Sequence, residues 1–503
     1  MSAFWSAFLG GDPRALPFLP ASFRDPAARA VAARQSLGRA LAPGVASALD
    51  AQARRRAPGV ARAEHLTRLA QGTAVAVVTG QQVGLFLGPL YSLFKAASAV
   101  VVARALTAET GVPCAPVFWL QSEDHDFAEI DHVTVHGREG ALSRIQLASA
   151  HVPRASVSTI KLGAGVDAAL ASLRQALETL PHADEVVALF ARHYRPDVTW
   201  VNAFAQVLAE LFDELVIVDP RDEALARAVV PVHERAFAER EVLHRVLLER
   251  EAALEAAGFD VQVRARDVPL SFVHPEGRDG PRHRGARPSS EDPLCWSSSA
   301  LLRPIIQDTL FPTAAIVGGP GELNYFAQLS PLYAHFGVPM PMVMPRARFR
   351  VVEPRARALL AELGLSAADV EVSREALLRR VAAPRTGETT GTTLEQQLLD
   401  GVLPVLEHLE PHPGLERSLE RTRRAFTRTA QRFAARYERA RLERDAVAVA
   451  RVDRLQRALF PSGVPQERVL GLAGFAARIG VKEFVAQVLA GVTPFGADVK
   501  ELS

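Results

Sequence analysis

The stretch VAVVTGQQVGLFLGPLYSLFKAASAVVVARAL, Val75 to Leu106, decides the fold. Val75 to Val78 is an apolar, β-branched run, the pattern of a strand buried on both faces of a parallel sheet. A loop with Gly80, Gly84 and Gly88 follows. Pro89 stands at the first helical position, where its missing N–H costs nothing. An apolar helix then runs to about Leu106. Strand, glycine loop and helix make the opening unit of a nucleotide-binding α/β domain, with the helix N-terminus turned toward the loop. The glycines fall every fourth residue, in neither the GxGxxG nor the Walker spacing. The pattern therefore sets the architecture and leaves the ligand open. Gln81 and Gln82 lie at the carboxyl end of the strand, where open α/β sheets bind ligands. The competing reading is a plain first crossover with no ligand.

A second strand, Pro116 to Leu120, empties into Ser122, Glu123, Asp124, His125 and Asp126. Grouped carboxylates raise one another's pKa and recruit ammonium groups or cations, Mg²⁺ among them. Glu123, Asp124, His125 and Asp126 are the candidate catalytic residues, for orienting an amine or removing its proton. The alternatives are a solvated loop with helix-capping acids, and a structural histidine.

A third buried strand, ELVIVDP, ends at Asp219. His132 to Ile160 alternates and predicts further strands. Helices are expected over Pro26 to Arg56, Ala61 to Ala70, from Val166, over Thr199 to Leu211, and as one long helix over Arg221 to Glu255. Phe259 to Val263 reads as a strand. The Gly-, Pro- and Arg-rich stretch His274 to Pro293 reads as a loop, either a cover for an anionic substrate or a surface insertion.

Ala314 to Val317, followed by Gly318, Gly319, Pro320, Gly321 and Glu322 and a helix to Phe336, repeats the strand–glycine–helix unit. Glycines permit close backbone approach, and Glu322 suits a ribose or an amine. Arg303 and Arg346 near this unit are candidate anion clamps.

Farther on, PRTGETTGT (Pro384 to Thr392) is a linker or hairpin tip. Leu394, Leu398, Val402, Val405 and Leu409 recur at heptad-like spacing, and Pro411, Pro413 and Gly414 turn the chain. One long charged helix from Leu415 to about Leu459 carries Leu419, Phe426, Phe433, Ala440 and Val447. The recurrence predicts a helical hairpin or coiled coil that pairs two copies, unless the two faces bury each other within one chain.

The whole composition bounds function. The chain has 503 residues and a net charge of +2, with 48% hydrophobic and 23% charged residues. Two or three globular domains are expected and nucleic acid is not. The apolar start lacks a basic n-region, and no uncharged run reaches about 18 residues, so neither a signal peptide nor a membrane span is expected. Cys114 and Cys295 are too few for a disulfide scaffold and point to a reducing, cytoplasmic setting; both read as packing residues.

The motifs TGQQVGLFLGPLYSLFKA, PVFWLQSEDHDFAEI, LRPIIQDTLFPTAAIVGGPGELNYFAQL, HFGVPMPMVMPR and LFPSGVPQERV, in this order along nearly the whole chain, resemble the cysteine ligases of bacillithiol biosynthesis. The resemblance implies a cytoplasmic enzyme joining L-cysteine to glucosaminyl-malate through an amide. It implies a Rossmann-like core similar to nucleotidyltransferases and class I aminoacyl-tRNA synthetases, with connecting inserts and a coiled-coil arm that forms a homodimer. The expected division is residues 1–383 as core, with inserts at about 133–200 and 220–300, 384–460 as arm, and 461–503 as helices returning to the core. A free carboxylate does not acylate an amine unaided, so ATP is expected, through an acyl-adenylate or an acyl-phosphate.

On this resemblance the loop from Thr79 to Gly88 (Thr79, Gly80, Gln81, Gln82, Gly84, Gly88) and Lys95 hold phosphates or malate. The acidic cluster holds the cysteine ammonium or a metal, and His125 accepts the proton of the attacking amine. Gly318, Gly319, Gly321, Glu322 and Tyr325 line the nucleotide or sugar side. One departure stands out. The related synthetases carry an HxGH-type motif after their first strand, and the comparable loop here is GLFLG. Two other readings remain: an ATP-dependent amino-acid-activating or nucleotidyltransferase enzyme of the same fold with another substrate, and a non-catalytic scaffold.

Overall fold

The apolar run at Val75 is fully buried and forms strand β1, Val75–Gln81. The computed structural model describes residues 3–19, 21–148, 152–284, 291–382, 388–409, 412 and 414–502. After β1 come helix α1, Tyr91–Thr110, and strand β2, Cys114–Leu120. Helix α2, Trp200–Leu211, leads into β3, Val216–Val218. Strand β4, Thr313–Gly318, is followed by α3, Pro320–Phe336, and by β5, Met342–Pro345.

These strands form one parallel sheet in the order β5-β4-β1-β2-β3. From the other edge this is 3-2-1-4-5, the first five strands of the Rossmann order. The chain leaves β1 toward one side, comes back, and leaves β4 toward the other. The carboxyl ends of β1 and β4 therefore flank a switch point, where a crevice opens.

Helix α1 shows no polar stripe because it is buried on most of its surface, from Ser92 to Val100 without a break. By length and composition it would cross a bilayer, yet 67% of its apolar window is buried within the protein, as a core helix. It begins at Tyr91 rather than at Pro89. Pro89 instead bridges Gly471, and the Leu90 amide donates to the Leu470 carbonyl at 2.8 Å, so a segment from the far end of the chain takes that place.

Several other expectations change. Phe259 to Val263 is not a strand; Ser271–Val273, His283–Arg284 and Trp296–Ser298 form a small antiparallel sheet, so part of the anticipated 274–293 loop is ordered strand. Residues 285–290 of that stretch lie outside the described residues. The helix expected over 221–255 is two, Glu223–Ala238 and Arg240–Ala256. His132–His136 and Leu142–Gln146 pair as a hairpin.

Two compact units divide the chain, one of residues 1–350 with 467–502 and one of 351–466. Residues 351–382, assigned from sequence to the end of the core, cluster with the second unit. That unit contains Pro354–Leu363, Arg374–Val381, α4 (Gly391–Glu407), α5 (Glu416–Glu443) and α6 (Ala446–Leu459). Val352, Leu377, Leu442, Val452 and Leu455 form its core. The single helix expected over 415–459 breaks at Arg444, and Asp445 caps α6 through the Ala448 amide. Helices α4 and α5 pack antiparallel: the Gly391 amide donates to Glu438 at 2.7 Å, and Arg423 meets Glu407 at 3.5 Å near the other end. Of the anticipated linker and turn, residues 383–387, 410, 411 and 413 lie outside the described residues.

Candidate active site at the switch point

A cavity of about 890 Å³ opens at the carboxyl ends of β1, β2 and β4. That volume is near the top of the ~300–1,000 Å³ range of small-ligand sites, enough for more than one substrate. Gln81, Gln82, Lys95, Glu123, Asp124, Arg303, Gly319, Gly321, Glu322, Tyr325 and Arg346 all line it. These residues come from distant parts of the sequence, and the sheet order brings them together.

The rest of the candidate set lies elsewhere. The Thr79 hydroxyl is fully buried and donates to the Val317 carbonyl at 2.8 Å, tying β1 to β4. Gly84 and Gly88 pack on each other. A Cβ on Gly84 would stand 2.7 Å from the Gly88 Cα, and Gly88 has φ +63. Between them Leu85, Phe86 and Leu87 are buried, with the Phe86 ring 4.9 Å from those of Phe190 and Tyr194. Trp200 Nε1 donates to the Val83 carbonyl at 2.6 Å. The glycine loop is thus a packed plug under neighbouring helices, and Gly84 and Gly88 do not line the cavity. Only its flanks, Gln81, Gln82, Pro89 and Tyr91, face the cavity. Gly318 lies against Glu322 and Leu323, and Asp126 is exposed at the start of a one-turn helix.

Lys95 is the keystone of one wall. Its ammonium donates to the Gly80 carbonyl at 2.8 Å and to Gln81 Oε1 at 2.7 Å, and it meets Glu322 Oε2 at 2.5 Å. All three protons are committed, so Lys95 holds β1, Gln81 and the start of α3 in register rather than offering a free charge. Burial pulls its pKa down and Glu322 opposes this. Burial pushes the Glu322 carboxyl up, but Lys95 and the Gly319 amide, 2.9 Å away, outweigh it and hold it low. The pair is read as charged.

Arg346 is likewise committed. It grips Glu467 through two bonds of 2.8 and 2.7 Å, with Arg348 adding a third at 3.3 Å. Arg303 donates to the Tyr325 hydroxyl at 2.5 Å. Burial and the neighbouring guanidinium set Tyr325, with burial dominant, so the phenol is pushed up to about 12.

The facing wall is acidic. Glu123 Oε2 accepts from the Ser298 hydroxyl at 2.5 Å and the Ser298 amide at 3.2 Å. Gln82 donates to Asp124 at 2.6 Å and to Glu129 at 2.5 Å. Burial would raise the Asp124 pKa, but His125, Gln82 and the His125 and Asp126 amides bring it down to about 2. Asp124 is a fixed negative charge rather than a base.

His125 Nε2 lies 3.0 Å from an Arg282 nitrogen, and its Nδ1 lies 3.2 Å from Asp124 Oδ1. A guanidinium only donates, so Nε2 is the acceptor and the ring proton sits on Nδ1. In this arrangement the lone pair that a base would use is already taken. Arg282 itself stacks over Phe272, 4.1 Å from the ring centroid. Among the described residues no group of three or more His, Cys, Asp or Glu side chains gathers into a metal-binding set.

Sequence reasoning passed over Tyr91, Glu129, Arg282, Arg284, Ser298 and Arg468, which also line the cavity. Two had a signal. Arg282 lies in the basic 274–293 stretch, and Arg468 follows Glu467 in LFPSGVPQERV. Cys114 and Cys295 are buried, and burial pushes the Cys114 thiol up to about 11.

Known proteins resemble the chain along most of its length. The family model described as "Bacillithiol biosynthesis BshC, N-terminal Rossmann-like domain" matches residues 18–284 and 286–347, and "Bacillithiol biosynthesis BshC, C-terminal coiled-coil domain" matches 349–500. A Koribacter versatilis protein named "Putative cysteine ligase BshC" is 33% identical over 445 residues, covering 83% of this chain and 82% of its own. Proteins of the same name from Solibacter usitatus and Chlorobaculum tepidum are 32% and 30% identical, over 83% and 82% of this chain and 82% and 80% of theirs. A Rossmann-like sheet, a cavity at its switch point and these matches across both units lead to one conclusion: the chain belongs to the BshC family of bacillithiol biosynthesis.

Proposed function

We propose that the protein is a ligase that joins L-cysteine to glucosaminyl-malate, yielding bacillithiol, after ATP-dependent activation of the cysteine carboxyl. The observation that carries this is the division of the cavity into an acidic wall and a cationic wall. The substrates require both: an ammonium on cysteine, and oxyanions on ATP and malate. Asp124, held ionised, takes the cysteine ammonium. Glu123 is the base: Ser298 fixes one carboxylate oxygen, and the other receives the proton from the glucosamine amine as the C–N bond forms. Activation releases pyrophosphate if the intermediate is an acyl-adenylate, or ADP if it is an acyl-phosphate; the amine then attacks the activated carbonyl, and AMP or inorganic phosphate leaves as the C–N bond forms. Positioning and charge neutralisation supply most of the rate. A reducing cytoplasm suits a thiol product and two buried cysteines outside any disulfide.

The test is a mass-spectrometric assay of the purified protein with cysteine and glucosaminyl-malate, with and without ATP and Mg²⁺. Bacillithiol is expected only with ATP, and release of AMP or ADP names the intermediate. Product without ATP overturns the activation step. Equal ligation of other amino acids moves the chain to a different substrate. Glu123→Gln should lower turnover by about 10²–10⁴-fold, the usual contribution of a positioned base.

A further inference from the structure

The cationic wall holds more charge than it spends. Lys95 is neutralised by Glu322 and Arg346 by Glu467. Arg303 and Arg468 both line the cavity, and neither has a carboxylate in ion-pair reach among the described residues. Arg303 bonds the Tyr325 phenol and feels the Glu322 carboxylate from beyond ion-pair reach.

Arg468 is also held in place from both sides. Glu467, just before it, is clamped by Arg346 and Arg348. Leu470, two residues on, accepts the Leu90 amide, and Gly471 bridges Pro89. The backbone is fixed on the threshold of α1 while the guanidinium remains uncommitted. A long side chain on an anchored backbone, aimed into a cavity, costs less entropy on binding than one on a mobile loop.

The start of α3 adds the Gly321 amide; Pro320 has no N–H, and the Gly319 amide already donates to Glu322 Oε2 at 2.9 Å. Gly319, Pro320 and Gly321 line the cavity, and a Cβ on Gly321 would meet nothing within 4 Å. First-turn amides have no intrahelical acceptor and carry partial positive charge.

We propose that Arg468 and Arg303, with the first turn of α3, form a subsite for a multiply charged oxyanion. The class is shared by a polyphosphate chain and a dicarboxylate, and the subsite rests on the ligase reading only for which of the two it receives. It replaces the glycine loop as the place where anionic substrate is held.

Calorimetric titration of the full chain with tripolyphosphate and, separately, with L-malate tests it without turnover. The wild type should bind at least one. Arg468→Ala should weaken that binding by about ten- to a hundredfold, the worth of one charge-assisted hydrogen bond, and Arg468→Lys should restore part of it. Arg468 is exposed, so its replacement leaves the fold intact, which circular dichroism checks. A rise in KM for ATP alone assigns the subsite to phosphate, and a rise for glucosaminyl-malate alone assigns it to malate. A wild type that binds neither anion, or an Arg468→Ala protein that binds like wild type, overturns the subsite. Failure of the ligase assay would leave these binding results standing.

Discussion

Asp124 and Lys95 show how differently two charges at one cavity behave. Lys95 is surrounded by acceptors, and its chemistry is used up in holding the fold. Asp124 keeps a constant charge, and this has a measurable consequence. Its pKa is about 2 in the folded chain against an ordinary 3.8. The unfolded chain therefore holds the proton more tightly. The stabilisation is complete above about pH 5 and is lost as pH falls through 2. A two-unit shift corresponds to about 2–3 kcal/mol, and a side chain 26% exposed loses part of that to solvent. Urea unfolding from pH 5 to pH 2 should show a loss of stability that is smaller by about 1–2 kcal/mol in Asp124→Asn than in wild type, the remainder coming from other carboxylates held low, such as Glu322 and Glu467. An unchanged slope in the variant would mean the carboxylate is not held as described. The acidic cluster was legible because Glu123 and Asp124 end a buried strand. The roles within it were not, since Ser298, Gln82 and Arg282 reach it from far away in sequence.

At the scale of elements, the strand–loop–helix reading holds while the meaning of the loop changes. Glycines spaced by four resemble a cradle, yet in VGLFLG Val83, Leu85, Phe86 and Leu87 are all buried. Gly84 is there to let the backbone pass Gly88. Gly84→Ala should cost about 1–3 kcal/mol by overpacking, whereas Gly321→Ala, opening on the cavity, should stay within about 0.5 kcal/mol. Thermal unfolding of the two variants separates a plug from a cradle; equal effects would contradict the packing. The break at Arg444 was hidden for a related reason. The seven-residue recurrence runs through it, and only the capping by Asp445 shows where one helix stops.

At the scale of the molecule, the sheet order could not be read from periodicity. β1, β2, β3 and β4 were each legible as apolar runs, but pairing β1 with β4 across more than two hundred residues needs tertiary structure. The arm was legible as a heptad pattern, and α4 packs against α5 within the chain. Phe433 remains 54% exposed and Val405 62%. We expect these faces to join two copies of the chain. Light scattering should give a dimer for the wild type and a monomer for Phe433→Glu, with the monomer retaining its helicity. A monomeric wild type would remove the arm from assembly.

The return of residues 467–502 to the first unit has a consequence for synthesis. Glu467 and Arg468 are translated after the whole arm, so Arg346 emerges from the ribosome well over a hundred residues before its partner. Until then the nascent sheet carries an unanswered guanidinium and an incomplete cavity wall.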